Sequence, residues 1–444
     1  MRPEHPLHLE NSMTPDTGRP RTSATAIYSL VVLTIVYCFA FVDRQIMNML
    51  VGPIKGQFGV NDLQIGYLIG PAFIVSFMLV GLPAGLAVDR LNRRLLVIAA
   101  GILWSVGTTA AAFATRFDAL VLTRVLVGGA EAVLFPAGMS LIADLFHKRH
   151  LPVAYSTFLA APYLGGGMAL ILGGVVLAKT EAISSVTLPV LGSIVGWQST
   201  FLVVGLAGLA PVLLMFTVRE AARPTDSNNG SVGLMDGLRF MLVRWRFYAF
   251  FFPGMSIAGL VMAMVAAWAP TYLHRTYAMP SAEIGLTYGI YVLVAGLAGG
   301  IAGPVANIWI ARRFPRSTMW TACIGPVLIL TFILLFSIVR SRDAALVCLA
   351  LFTFSYSFPL SVAGTSLQIV TPPKLRGLAA GIYLVSNSLL GYALGPTLVP
   401  LAASYVFGGE THLGEAMKLV GLACGLISLF GVVMAAIGFS RHQS

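Results

Sequence analysis

Four charged residues, Asp43, Arg44, Arg124 and Glu131, stand inside otherwise apolar stretches of the sequence. An ionised side chain in such a setting is costly unless it is paired or faces water, so these four mark a site rather than a scaffold. Their charges cancel. Asp43 and Arg44 are neighbours about 100° apart on a helix and must address different surroundings. Arg124 and Glu131 are seven apart and share one helical face, two turns from each other. A buried carboxylate takes up or releases a proton according to how closely an arginine approaches it. Asp43, Arg44 and Glu131 are therefore read as proton-coupling residues. The planar fork of Arg124 suits a phosphate or carboxylate, so Arg124, Glu131 and Arg44 are expected to form the polar end of a substrate cavity.

The second half of the chain has no charge at comparable depth. It offers Trp268, Tyr356 and Asn387, with Tyr272, Tyr288, Tyr291, Tyr383 and Tyr392 and the hydroxyls of Ser355, Ser357, Ser361 and Thr365. This is an aromatic, hydroxyl-lined wall suited to an apolar or lightly polar moiety, and Trp268, Tyr356 and Asn387 are expected to touch substrate. No catalytic residue is expected. The seven histidines fall in tails, loops or a span edge, which removes the usual general base. No Gly-Lys dipeptide occurs, so a phosphate-cradling nucleotide loop and ATP drive are excluded. The four cysteines lie in apolar runs and read as small hydrophobes, and neither a metal site nor a cofactor is expected.

The elements that must hold these groups follow from composition. Of 444 residues, 57% are hydrophobic and 10% charged, whereas soluble domains carry about 25% charged residues. Runs long enough to cross a bilayer occur near 27–51, 64–88, 95–114, 119–143, 152–178, 198–218, 247–273, 284–310, 318–339, 344–367, 377–405 and 415–438. The expected organisation is a tail at 1–24, a six-helix bundle at 25–218, a linker at 219–246, a second six-helix bundle at 247–438 and a tail at 439–444. The fold class is all-α integral membrane. Loops on the linker side carry 19 basic and 8 acidic residues, those on the opposite side 7 and 7. The whole net charge of +11 thus lies on one face, and the positive-inside rule makes both termini and the linker cytoplasmic. A nucleic-acid surface would need a soluble basic domain, which is absent.

Gly81, Ala84, Gly85 and Asp89 recur 218 residues later as Gly299, Ala302, Gly303 and Asn307, each set followed by an arginine pair, Arg93-Arg94 and Arg312-Arg313. Pro53 and Ile65-Gly66 recur as Pro270 and Ile284-Gly285. Two parallel repeats joined by a linker are a transporter design. Gly85 is expected to admit a neighbouring helix, and Asp89, Arg90, Arg93, Arg94 and Asn307 to form a cytoplasmic gate.

The stretch Gly85-x-x-x-Asp89-Arg90-x-x-Arg93-Arg94 resembles the loop 2–3 signature of the major facilitator superfamily, and Gly391-x-x-x-Gly395-Pro396 resembles its helix-bending motif. Within it, most of residues 40–220 is similar to bacterial spinster-like proteins. The similarity is carried by Asp43-Arg44, Pro53-Ile54-x-x-x-Phe58, Asp89-Arg90-Leu91-Asn92-Arg93-Arg94, Arg124-x-Leu126-Val127-Gly128-x-x-Glu131-Ala132, Leu141-Ile142-Ala143-Asp144-Leu145-Phe146 and Gly196-Trp197-x-x-x-Phe201. The resemblance implies a proton-linked secondary transporter in a bacterial inner membrane, working by alternating access on a lysophospholipid or sphingoid phosphate. Glu131-Ala132-Val133-Leu134-Phe135-Pro136-Ala137 also looks like the proton symporters of sugar acids, which implies small organic acids as the alternative cargo. The expected partners are the bilayer, the amphiphilic anion and protons, with no nucleic acid, and the expected state is monomeric.

Overall fold

The structure is a computed structural model that describes residues 24–147, 149–181, 186–188, 192–220, 234–314 and 318–443. Among the described residues, twelve helical segments have the length and apolarity to cross a bilayer. Numbered in chain order they are span 1 Ala24–Met49, span 2 Asp62–Gly81, span 3 Arg93–Ala111, span 4 Phe117–Leu145, span 5 Leu151–Lys179 and span 6 Gly196–Thr217. The second set is span 7 Trp245–Tyr277, span 8 Ser281–Arg313, span 9 Thr318–Phe336, span 10 Arg342–Val370, span 11 Arg376–Tyr405 and span 12 Glu410–Ser440. The helix of span 2 itself runs on to Arg90. Residues 1–23 of the expected tail and 221–233 of the expected linker lie outside the described residues. What is described of the linker includes a ten-residue linker helix, Leu234–Val243.

Helices are the form these apolar runs take because lipid offers nothing to an unpaired backbone amide. Polar caps set their ends. Asn61 and Gln64 exchange side-chain and backbone hydrogen bonds of 2.9 and 3.0 Å at the start of span 2, and Asn92 accepts from Leu95 N at 2.9 Å before span 3. Spans 5 and 6 are joined through a feature not anticipated from the sequence, a short antiparallel hairpin in which Val186–Leu188 pairs with Gly192–Ile194. The membrane face carrying this hairpin is called the hairpin face, and the opposite one the linker face.

The halves meet near the hairpin face and part toward the linker face. A Cβ on Gly66 of span 2 would sit 2.6 Å from the Pro396 carbonyl oxygen of span 11, and one on Gly285 of span 8 would sit 2.5 Å from the Leu170 carbonyl oxygen of span 5. The repeated Ile-Gly pair thus makes the same backbone-to-backbone contact twice, once from each half. Near the linker face, Gly85, Gly364, Gly377 and Gly381 have no neighbouring heavy atom within 4 Å of their would-be Cβ. The larger contacts between halves come from the hairpin-side parts of spans 1, 2 and 5 against spans 7, 8 and 11. The contacts between the halves thus concentrate at the hairpin face, which is the sealed side.

The expectation for Gly85 is corrected by this geometry. Its repeat partner Gly303 is the tight one, with a would-be Cβ 2.0 Å from the Phe358 carbonyl oxygen of span 10. Both repeats keep the glycine, but only one of them has a helix against it in this conformation.

Candidate functional site

The four deep charges resolve into two crossed ion pairs between spans 1 and 4. Asp43 is buried, accepts from Thr108 Oγ1 of span 3 at 2.5 Å and lies 3.4 Å from Arg124 Nη2. Arg44 Nη2 lies 2.7 Å from Glu131 Oε2. The 100° offset of Asp43 and Arg44 sends one toward spans 3 and 4 and the other toward the interior. Arg124 is enclosed, its guanidinium 5.2 Å from the centroid of Phe201. The Arg44 side chain keeps 17% exposure. Its guanidinium stands 4.5, 4.8 and 5.3 Å from the rings of Phe73, Phe41 and Phe77, a cation–π setting that replaces part of its hydration. Glu131 Oε1, Arg44 Nε and Arg124 Nε are buried with no hydrogen-bond partner among the described residues. Both pairs thus retain unused donors or acceptors, the condition for exchanging partners with a proton or an anion.

The second-half wall divides. Tyr356 and Tyr383 gather with Tyr392 and with Tyr163 of span 5, and Tyr37 of span 1 lies within electrostatic range of Tyr392, Arg44 and Glu131. Asn387 Oδ1 is buried without a partner among the described residues, in the π-helical segment Asn387–Ala393. Such a segment widens one turn and aims side chains out of register. Trp268 belongs elsewhere. It is fully buried and donates its indole N–H to the Pro396 carbonyl at 2.8 Å, the same carbonyl that meets Gly66. The expected substrate contact at Trp268 is thereby replaced by a bracing role at the seal, because a buried indole N–H needs an acceptor. Tyr163 was not anticipated; its signal is its place beside Pro162 and ahead of Gly165-Gly166-Gly167, where span 5 changes from Leu151–Leu159 to Ala161–Glu181.

At the linker face, Asp89 and Arg90 are exposed at the end of the span 2 helix. Arg93 is buried and pairs with Asp144 and, at 2.8 Å, with Glu220, and its Nη1 lies 3.1 Å from Ser140 Oγ. Arg94 donates from Nη1 to the Val218 carbonyl at 3.1 Å. These partners belong to span 4 or to the segment just after span 6, so these contacts of the arginine pair brace the first half internally. Arg312 and Arg313 of the repeat are exposed, and Asn307 Oδ1 is buried without a partner among the described residues. The carboxylate set against a helix N-terminus here is Glu220, which accepts from the backbone N–H of Arg94 at 2.8 Å and of Arg93 at 3.3 Å. Partial burial pushes its pKa up, but the two amides and the Arg93 guanidinium outweigh that and hold it below the ordinary glutamate value.

The hairpin face holds a cluster that the sequence reading passed over. Asp62, at the start of span 2, accepts from Arg275 Nη1 and Nη2 of span 7 at 2.6 and 2.8 Å and from Lys55 Nζ at 2.5 Å. Lys55 also pairs with Glu410, whose other oxygen accepts from Asp62 N at 2.6 Å. Two residues of each half thus form one network across the seal. The partners are 213 and 355 positions apart in the chain, so no local spacing announces them; the only hint is that the charges on this face balance.

The Major Facilitator Superfamily model matches residues 33–396. The chain is 26% identical over 442 residues to an MFS-type efflux pump of Mycolicibacterium smegmatis, covering 96% of this chain and 95% of that protein. It is 25% identical to the sphingosine-1-phosphate transporter SPNS2 of Xenopus tropicalis, covering 97% and 85%. Its fold superposes with a TM-score of 0.79 and 21% identity on a bacterial homologue of the human lysosomal transporter Spinster in an inward-facing, unoccupied conformation, covering 94% of this chain and 98% of that one.

Proposed function

The chain belongs to the major facilitator superfamily and is a secondary transporter, and from that premise we propose that it moves an amphiphilic anion by proton-linked alternating access. The linker face is read as cytoplasmic on its excess of basic loop residues, a reading under which both termini lie on the cytoplasmic side of a bacterial inner membrane. The observation that carries the substrate reading is Arg44, a partly exposed cation amid Phe41, Phe73 and Phe77 and paired with Glu131. A phosphate or carboxylate head competes with Glu131 for the guanidinium, while an acyl or sphingoid chain covers the rings and the tyrosines beyond.

Protons enter the same competition. A proton on Glu131 releases Arg44 to the anion, and one on Asp43 releases Arg124, which in this conformation is committed to Asp43. Arg124 is therefore the second anion ligand, reached only after Asp43 is neutralised. Tyr356 and Asn387 supply the neutral wall. The network of Lys55, Asp62, Arg275 and Glu410 is the seal that parts when the interior opens to the hairpin face, and Asp89, Arg90, Arg93, Arg94 and Asn307 line the face that closes in exchange.

Binding of phosphate-headed lipids of increasing chain length, set against small organic acids, tests the reading on the purified protein. Four buried methylenes are worth about 3 kcal/mol, roughly a 200-fold gain in affinity, and Arg44→Lys should abolish most head-group selectivity by removing the planar fork. Affinity flat with chain length, or saturable binding of a sugar acid alone, overturns it in favour of the organic-acid symporter suggested by Glu131–Ala137.

A further inference from the structure

The linker helix Leu234–Val243 turns one side to the protein and leaves the other exposed. Gly237 packs against Leu375, just ahead of span 11, and Leu378 in its first turn, Met241 is buried, and the Phe240 ring lies 6.5 Å from that of Tyr248 of span 7. On the opposite side Met235, Leu242 and Val243 are 76, 71 and 74% exposed, followed by exposed Trp245 at the entry of span 7. Met235, Arg239 and Leu242 fall at i, i+4 and i+7 on one stripe. Three large apolar side chains so exposed outside the spans are unfavourable in water.

Their surroundings say what covers them. The helix lies beside the linker-face ends of spans 7 and 11, which sets it at the boundary of the hydrocarbon layer. Within residues 234–246 the bases Arg239, Arg244 and Arg246 stand against the one acid Asp236, and Lys374 and Arg376 flank Leu375 at the start of span 11. The Arg244 guanidinium is 4.1 Å from the Phe240 ring and that of Arg246 is 5.7 Å from Trp245, the arrangement in which an arginine stem follows apolar surface and its head reaches phosphate level. A basic helix with an apolar exposed side at that depth fits a lipid leaflet.

We propose that residues 234–246 form an in-plane anchor whose Met235, Leu242, Val243 and Trp245 sink into the linker-face leaflet while Arg239, Arg244 and Arg246 hold the phosphates of anionic phospholipids. Through Gly237 the anchor sits on the first turns of span 11, so lipid charge acts on a helix that lines the central space. This assignment is independent of what the transporter carries.

The experiment places a nitroxide at Leu242→Cys or Met235→Cys in the full chain, with Arg149→Cys in an exposed linker-face loop as the aqueous reference. Collision with oxygen, which partitions into lipid, is compared with collision with a water-soluble nickel chelate. Vesicles of phosphatidylcholine are set against vesicles containing phosphatidylglycerol. The labels at 235 and 242 should relax with oxygen and be shielded from nickel, unlike the label at 149. Shielding should deepen with phosphatidylglycerol, by about fivefold in the immersion equilibrium for each arginine. Joint replacement of Arg239, Arg244 and Arg246 by Gln should remove the dependence on lipid charge and leave the apolar immersion. A label at 242 as open to nickel as that at 149 overturns the anchor, as does immersion of the parent that ignores lipid charge. Because every readout is depth rather than transport, failure here is separable from failure of the substrate reading.

Discussion

Asp62→Asn tests the view that the hairpin-face network holds the interior closed on that side. The Asp62 side chain is 1% exposed and takes two hydrogen bonds from Arg275 and one from Lys55. Removing one partner of a buried ion pair costs about 3–5 kcal/mol. The loss here is smaller, because Lys55 and Arg275 are partly exposed and Glu410 remains to pair with Lys55; about 2 kcal/mol is the appropriate scale. When the seal is parted the same charges meet water, so nearly all of this falls on the sealed state. The equilibrium then moves about thirtyfold, and a hairpin-open population of about 1% rises to about 20%. Nitroxides at Tyr67→Cys of span 2 and Tyr405→Cys of span 11, both exposed, report the change as a longer component in their distance distribution. Adding Arg275→Gln to Asp62→Asn should shift the distribution little further, since the pair is already broken. A distribution identical to that of the parent, or fully additive effects of the two substitutions, refutes the reasoning.

Asp43→Asn should abolish the response of transport to an imposed pH gradient while substrate binding stays measurable; gradient-driven accumulation equal to the parent would make Asp43 a packing residue. Gly66→Ala places a methyl 2.6 Å from a backbone carbonyl and should cost about 1–3 kcal/mol of the sealed state with a large loss of transport, whereas Gly85→Ala, with nothing within 4 Å, should be tolerated in this conformation. Trp268→Phe leaves the Pro396 carbonyl without its donor and should lower thermal stability by about 1–3 kcal/mol without altering head-group selectivity. Glu220, whose pKa is lowered in the folded protein, stabilises above the ordinary glutamate value and loses that contribution as pH falls through its depressed folded value. Glu220→Gln should therefore flatten the acid limb of a thermal-stability profile, and an unchanged limb would exclude Glu220 as its source.

Much of this molecule is written locally. Apolar runs longer than a bilayer is thick fix the spans to within a few residues, because lipid leaves the backbone no alternative to helix. A basic excess on alternate loops singles out one face, and charges isolated in apolar runs name Asp43, Arg44, Arg124 and Glu131 as residues that require partners. Which partner each takes depends on the rotation and depth of spans 1, 3 and 4 in the packed bundle. The pairing of Asp43 with Arg124 and Thr108, and of Arg44 with Glu131, is therefore a tertiary result. Matching repeat positions also take different roles: Gly85 and Gly303 correspond, yet only Gly303 is pressed by a neighbouring helix, span 10 of its own half, at the Phe358 carbonyl. Trp268 reads as a wall residue until the Pro396 carbonyl is found opposite it. The network of Lys55, Asp62, Arg275 and Glu410 joins residues hundreds of positions apart that are ordinary loop charges in sequence. It exists only because the two halves lean together at the hairpin face, and that lean is set by the summed packing of all twelve spans rather than by any one of them.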